Sequence, residues 1–203
     1  MLASAALAVV TIRPFREPVL RAAGWALVVN ESVEPADIIV VTVDSGPAGA
    51  LEAADLVQSG IAKRVAVFRD PPDGEEGEFI RRGISYEDAG ARQISRLRLL
   101  GVTDMVEIPR VDGTEGEGQV LPSWCEEHQF RSVVVVATKD HSRRVQRVLD
   151  RSMKGHPIRV AVRAARYSSF DPDRWWQTRG GVRKGITELQ KLLLDVLLHP
   201  MSF

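Results

Sequence analysis

Ser132 to Ala137 contains four consecutive valines, with no polar residue between them. A strand with one face in water alternates apolar and polar side chains. An uninterrupted β-branched run instead suits a strand covered on both faces, as in a parallel sheet flanked by helices. Asp37-Ile38-Ile39-Val40-Val41-Thr42-Val43, set between Pro35 and Ser45-Gly46-Pro47, reads the same way. Shorter strands are expected at Arg64 to Phe68, Met105 to Ile108 and Ile158 to Val162.

Helical patterns separate these runs. One opens at Ser45-Gly46-Pro47, where serine can cap and proline is tolerated in the first turn, and runs along Ala50, Ala53, Ala54 and Val57 to Gly60. The next starts at a capping pair, Ser85 with Asp88, turns Ala91, Ile94 and Leu97 inward, and ends at Gly101. Another is expected within Val120 to His128. A fourth, capped by Asp140 or Ser142, carries Val145, Val148 and Leu149. In the last, Leu189, Leu192, Leu193, Val196 and Leu197 recur at helical spacing and are expected to dock on the core. The Pro-, Gly- and Glu-rich stretch from Asp70 to Gly83 reads as an exposed loop, and so, taken alone, does Asp112 to Gly118.

Strand and helix alternate five times, which predicts an α/β fold: an open parallel sheet of about five strands with helices on both faces, a Rossmann-like three-layer sandwich. The common order 3-2-1-4-5 sets the first and fourth strands side by side, and ligands of such sheets bind beyond the carboxyl ends at that switch point. Asp44-Ser45-Gly46 and Thr138-Lys139-Asp140-His141 are the loops that meet there.

The domain is expected to span 35–203, preceded by an N-terminal segment, 1–34. Met1 to Val10 is apolar, but Thr11, Arg13 and Pro14 interrupt it. A bilayer needs about 20 apolar residues, and the segment lacks the basic start of a signal peptide. It reads as a short buried helix or as the remnant of a membrane anchor. Lys+Arg and Asp+Glu balance at 27 each, so net charge offers no reason to expect nucleic acid as a partner. Cys125, the single cysteine, excludes an intramolecular disulfide and a cysteine-rich zinc site, and reads as a buried thiol.

The candidate chemistry centres on His141 and Arg144, three residues apart and so on one face of a helix start. Lys139 and Arg143 add positive charge, and unpaired N–H groups at a helix N-terminus favour a phosphate or carboxylate. A histidine there can bond a ligand oxygen or exchange a proton; the plainer alternative is a solvated basic helix start with His141 as a cap. Thr114 offers a hydroxyl and Glu117 a carboxyl that can exchange a proton. Asp44 and Ser45 close the first strand. Ser45 lacks the G-x-S-x-G elbow, because Val43 stands where its first glycine belongs, so helix capping is its expected role. No dinucleotide or P-loop fingerprint occurs, and the histidines at 128, 141, 156 and 199 show no metal-ligand spacing. No cofactor follows from the residues. Trp175-Trp176 reads as packing between the terminal helix and the domain.

At these residues the chain resembles the ElyC/SanA/YdcF family of bacterial Rossmann-like proteins. The resemblance rests on Ala36-Asp37-Ile38-Ile39-Val40-Val41, Ala53 to Gly60, Glu87, Leu100-Gly101-Val102, Thr114 with Glu117, and the T-x-x-H-x-x-R set Thr138, His141 and Arg144. Val43-Asp44-Ser45-Gly46 replaces the family's glycine-rich turn, and Gly113-Thr114-Glu115-Gly116-Glu117 lacks its asparagine. The resemblance implies a protein of the bacterial envelope, held at the inner membrane through its N-terminus with the domain on the periplasmic face, and acting in peptidoglycan, surface-glycan or lipid-carrier metabolism. A cytoplasmic protein is the alternative.

The expected function is binding of an anionic small molecule by His141 and Arg144, with Asp44, Ser45, Glu87, Thr114, Thr138 and Lys139 around it. Three alternatives stand beside it: a hydrolase or transferase with His141 and Glu117 as acid and base, a non-catalytic partner-binding protein, and a binder of S-adenosylmethionine or a nucleotide.

Overall fold

Residues 13–200, apart from 30 and 86, are described by a computed structural model of the chain. Met1 to Val10, read above as a buried helix or anchor remnant, lies outside the described residues.

The apolar runs form a five-stranded, all-parallel sheet: β1 (Ile38–Val41), β2 (Arg64–Arg69), β3 (Met105–Arg110), β4 (Ser132–Ala137) and β5 (Arg159–Ala164), in the order β3-β2-β1-β4-β5. β1 pairs with β4 from Ile38↔Val133 to Val41↔Val136, which makes the expected switch point real. Period-two alternation sends Ile38, Val40, Val133 and Val135 into one core and Ile39, Val41, Val134 and Val136 into the other, all essentially inaccessible. Both faces are covered, and this is why the runs carry no polar residue.

The helices are α1 (Arg13–Ala26), α2 (Gly46–Gln58), α3 (Gly74–Arg81), α4 (Ala89–Leu99), α5 (Gly113–Glu127), α6 (Ser142–Ser152) and α7 (Arg179–Leu198). α5 and α6 cover one face through Leu121, Trp124, Cys125, Val145 and Leu149. α2 and α4 cover the other through Ala50, Ala53, Ala54 and Leu97. Burial pushes the Cys125 thiol up to about 12, which keeps it neutral and inert.

Several local expectations change. The stretch 70–83 holds α3, opened by a full capping box: the Asp73 carboxylate accepts from Glu76 N–H while Glu76 accepts from Asp73 N–H. Asp88 caps α4 alone, accepting from Ala91 N–H at 2.7 Å. Asp112 to Gly118 is mostly the start of α5 rather than a loop. Gly118 serves packing, since a Cβ on it would lie 2.5 Å from Val148 Cγ1 of α6. Gly113 instead takes a positive φ of 63° at the helix start. Neither Asp140 nor Ser142 caps α6; His141 holds that position without a side-chain cap bond. The Ser142 hydroxyl instead donates to Lys139 O and accepts from Val29 N–H.

α7 docks differently from its leucine pattern. Leu193, Leu194, Leu197 and Leu198 are exposed, whereas Glu188 and Asp195 are buried against α6. The Asp195 carboxylate takes Arg147 on one oxygen and Arg151 on the other. The upstream half of α7 does meet apolar partners. Leu189 and Leu192 join Leu27, Phe170 and Trp175, together with Leu20 and Ala23 of α1. Trp175 donates its indole N–H to Leu20 O at 2.7 Å, and a Cβ on either Gly24 or Gly185 would collide with its ring. The tryptophan pair thus packs the terminal helix onto the domain and ties residues 20–29 to it as well. Among the described residues no helix is long and apolar enough to cross a membrane.

Gly118→Val is expected to lower unfolding stability by about 2 kcal/mol through overpacking against Val148. Gly77→Ala on α3, where a Cβ meets nothing within 4 Å, is expected to raise it by about 0.5–1 kcal/mol. Urea denaturation of both variants checks the contrast.

Candidate functional site

Beyond the carboxyl ends of β1 and β4 the chain turns sharply. After β1 comes a single 3-10 turn, Val43–Ser45, before α2. After β4, Thr138 O accepts from His141 N–H at 3.1 Å and closes the turn into α6. The α5 N-terminus, arriving from β3, lies against both.

His141 is buried at the centre of this meeting. Its Nε2 lies 3.1 Å from Thr114 Oγ1 on α5. Its Nδ1 lies 2.9 Å from Arg144 Nη2 and 3.3 Å from Glu188 Oε2 on α7. One nitrogen cannot accept from Arg144 and donate to Glu188 at once. With Nδ1 bare the ring accepts from Arg144 and donates to Thr114 from Nε2; with Nδ1 protonated it donates to Glu188 instead.

Glu188 also accepts from Arg144 Nε at 3.1 Å and from Lys191 Nζ at 2.8 Å. Burial alone would raise its carboxyl. The hydrogen bonds from His141 and Lys191, with the charges of Arg144 and His141, outweigh that and hold it down at about 2. A carboxylate of the chain itself therefore sits where an external anion was expected against His141 and Arg144.

Glu117, one turn along α5 from Thr114, behaves in the opposite way. Burial pushes its carboxyl up to about 8, and the negative charge of Asp44 adds to this against the Val43 N–H and Arg144. The Val43 N–H donates to Glu117 Oε1 at 2.8 Å. Two glutamates beside one arginine are thus held in opposite protonation states at neutral pH, a separation typical of functional sites.

The structure brings together Thr114, Glu117, His141 and Arg144, with Asp44 exposed beside them. The remaining expected residues lie apart. Ser45 is buried but does not cap with its side chain: its hydroxyl donates to Thr42 O at 2.7 Å and accepts from Gln93 Nε2 at 3.0 Å. Glu87 is exposed and bonded to Ser95, away from the cluster. Its neighbour Asp88 is the partner of Arg69 and Arg110 at the ends of β2 and β3. Thr138 contributes its carbonyl, and Lys139 lines a separate cleft. Glu188 and Lys191 were not singled out in the sequence, because nothing near His141 in the chain points to them. Asp140 Oδ1 is buried without a hydrogen-bond partner among the described residues. No group of three or more His, Cys, Asp or Glu among the described residues could hold a metal ion.

Compared with known proteins, the sequence matches no family model, and no curated protein is significantly similar to it.

Glu188 ties the stability of the fold to pH. A carboxyl held below its ordinary value of 4.5 contributes stability above about pH 4.5 and loses it as pH falls toward 2. Glu188→Gln is expected to remove roughly 3 kcal/mol of stability at pH 7 and to flatten this acid limb, as read by denaturant titrations between pH 7 and 2.5.

Proposed function

We propose that the chain binds an anionic small molecule at the switch point between β1 and β4. The observation that carries this reading is Arg144 set beside buried Glu117, whose carboxyl burial pushes up to about 8. Glu188 engages Arg144 through Nε and His141 meets Nη2, while Nη1 has no partner among the described residues. A neutral Glu117 can donate a hydrogen bond where an ionised one would repel an anion, as apolar burial of a carboxyl allows. Arg144, together with Lys191 at the exposed edge of the cluster, supplies the positive charge that meets Glu188. The resemblance of Thr138, His141 and Arg144 to the ElyC/SanA/YdcF pattern supports an envelope setting. There the anion is a phosphorylated glycan or lipid-carrier precursor, with the domain held at the inner membrane.

Arg144→Ala and His141→Ala are each expected to weaken binding of a phosphorylated sugar or isoprenyl phosphate at least tenfold, measured by thermal shift and calorimetry. Unchanged binding of every such candidate by both variants would end this reading. Affinity is also expected to fall as pH rises through about 8, where Glu117 ionises. Glu117→Gln removes that dependence.

A second reading rests on one observation, the alignment of Thr114, His141 and Glu188 in the order hydroxyl, imidazole, carboxylate. That is the arrangement of an activated nucleophile, and it supports a hydrolase or transferase with His141 as acid and base. Thr114→Ala then abolishes turnover while Thr114→Ser retains it, and the pH–rate profile loses an ionisation in His141→Ala. A profile unchanged by His141→Ala counts against catalysis.

A further inference from the structure

The carboxyl ends of β4 and β5 open on a second cleft of about 260 Å³, which shares no lining residue with the His141–Glu188 cluster. Trp25 and Val28 come to it from the N-terminal segment, Lys139 from the turn after β4, and Arg163 from β5. Its three acids keep their charge, and each accepts a hydrogen bond. Glu31 accepts from Gln146, Asp171 from Asp173 N–H, and Asp173 from the Trp25 indole and Arg21. Arg166, also on the wall, is taken up by Glu52 and Asp55.

Two cations remain. Arg163 rests by its Nε on Glu52 Oε1 at 2.8 Å, and the Glu52 side chain is wholly buried. The other Glu52 oxygen is used by Arg166. This grip fixes the guanidinium plane by one edge, and the two terminal nitrogens of Arg163 have no partner among the described residues. Lys139 Nζ likewise has none. A guanidinium held by one edge and an ammonium lining the same cleft suit the oxygens of a carboxylate or phosphate. Trp25 is 44% exposed, and the bond from its indole N–H to Asp173 at 3.0 Å orients the ring on the cleft wall. A rigid aromatic plane next to paired cations matches a ligand that is flat at one end and anionic at the other.

We propose that this cleft binds a small aromatic acid, its carboxylate or phosphate between Lys139 and Arg163 and its ring against Trp25. The site is independent of the switch-point reading and stands if that reading fails.

The test follows the Trp25 indole N–H resonance of the full chain by NMR during titration with benzoate, phenyl phosphate and, as a neutral control, benzyl alcohol. At least one of the two acids is expected to shift it saturably while benzyl alcohol does not, and the acid that acts tells carboxylate from phosphate. Lys139→Gln and Arg163→Gln are each expected to weaken that binding tenfold or more, and Arg144→Ala to leave it unchanged. Arg163→Gln removes a partner of buried Glu52 and can unfold the chain, so Lys139→Gln, which breaks no contact among the described residues, carries the test in that case. The proposal is overturned if neither acid moves the resonance, if Lys139→Gln binds like the parent, or if Arg144→Ala loses binding as Lys139→Gln does.

Discussion

The parallel pairing of β1 with β4 is the constraint from which the rest of the architecture follows. Four residues of each strand lie in register, and every one of them is buried. With β2 on the far side of β1 and β5 on the far side of β4, the chain departs in opposite directions from this central pair. The connections after β1 and β4 therefore cannot cover the space above their own strand ends, and the crevice of an open α/β sheet appears there. Thr114 and Glu117 reach it because the close approach of Gly118 to Val148 brings α5 tightly against α6. A side chain at Gly118 would push apart the two helices that carry the polar cluster.

The α6–α7 seam shows a second principle at work. Arg144, Arg147 and Arg151 lie along one side of α6, and Glu188 and Asp195 answer them from α7. Such buried pairs contribute little net stability once desolvation is counted, but removing one partner is costly. Their value is in register. An all-leucine seam tolerates sliding by a turn, whereas a carboxylate between two guanidiniums does not. Register places Glu188, and with it the orientation of His141.

Much of the frame was legible in the residues because the relevant signals are local. Continuous β-branched runs at Ile38–Val41 and Ser132–Ala137 declared a sheet covered on both faces, and alternation with helices declared it parallel, while its order was only the common one for such sheets. The spacing of Thr138, His141 and Arg144 is equally local, and two of the three meet in the cluster. The illegible parts depend on partners distant in the chain. Glu188 is 47 positions from His141, on a helix whose leucines suggested the opposite docking face. The glycines of α5 looked like a loop, in part because the purpose of Gly118, contact with Val148, exists only once α6 is in place. Asp73 and Glu76 were a local signal overshadowed by the prolines and glycines around them. Ser45 had the residue type of a cap, yet its hydroxyl found a nearer acceptor in Thr42 O.

Glu188 has one more consequence. Because it is part of the chain, the carboxylate between His141 and Arg144 is never diluted away: it is a tethered competitor whose local concentration is set by the fold. Any incoming anion that uses the same donors must displace it or share them. The affinity read in solution is then a difference between two anions. A chain lacking α7's hold on α6 would bind the same ligand more tightly, although its frame is less stable.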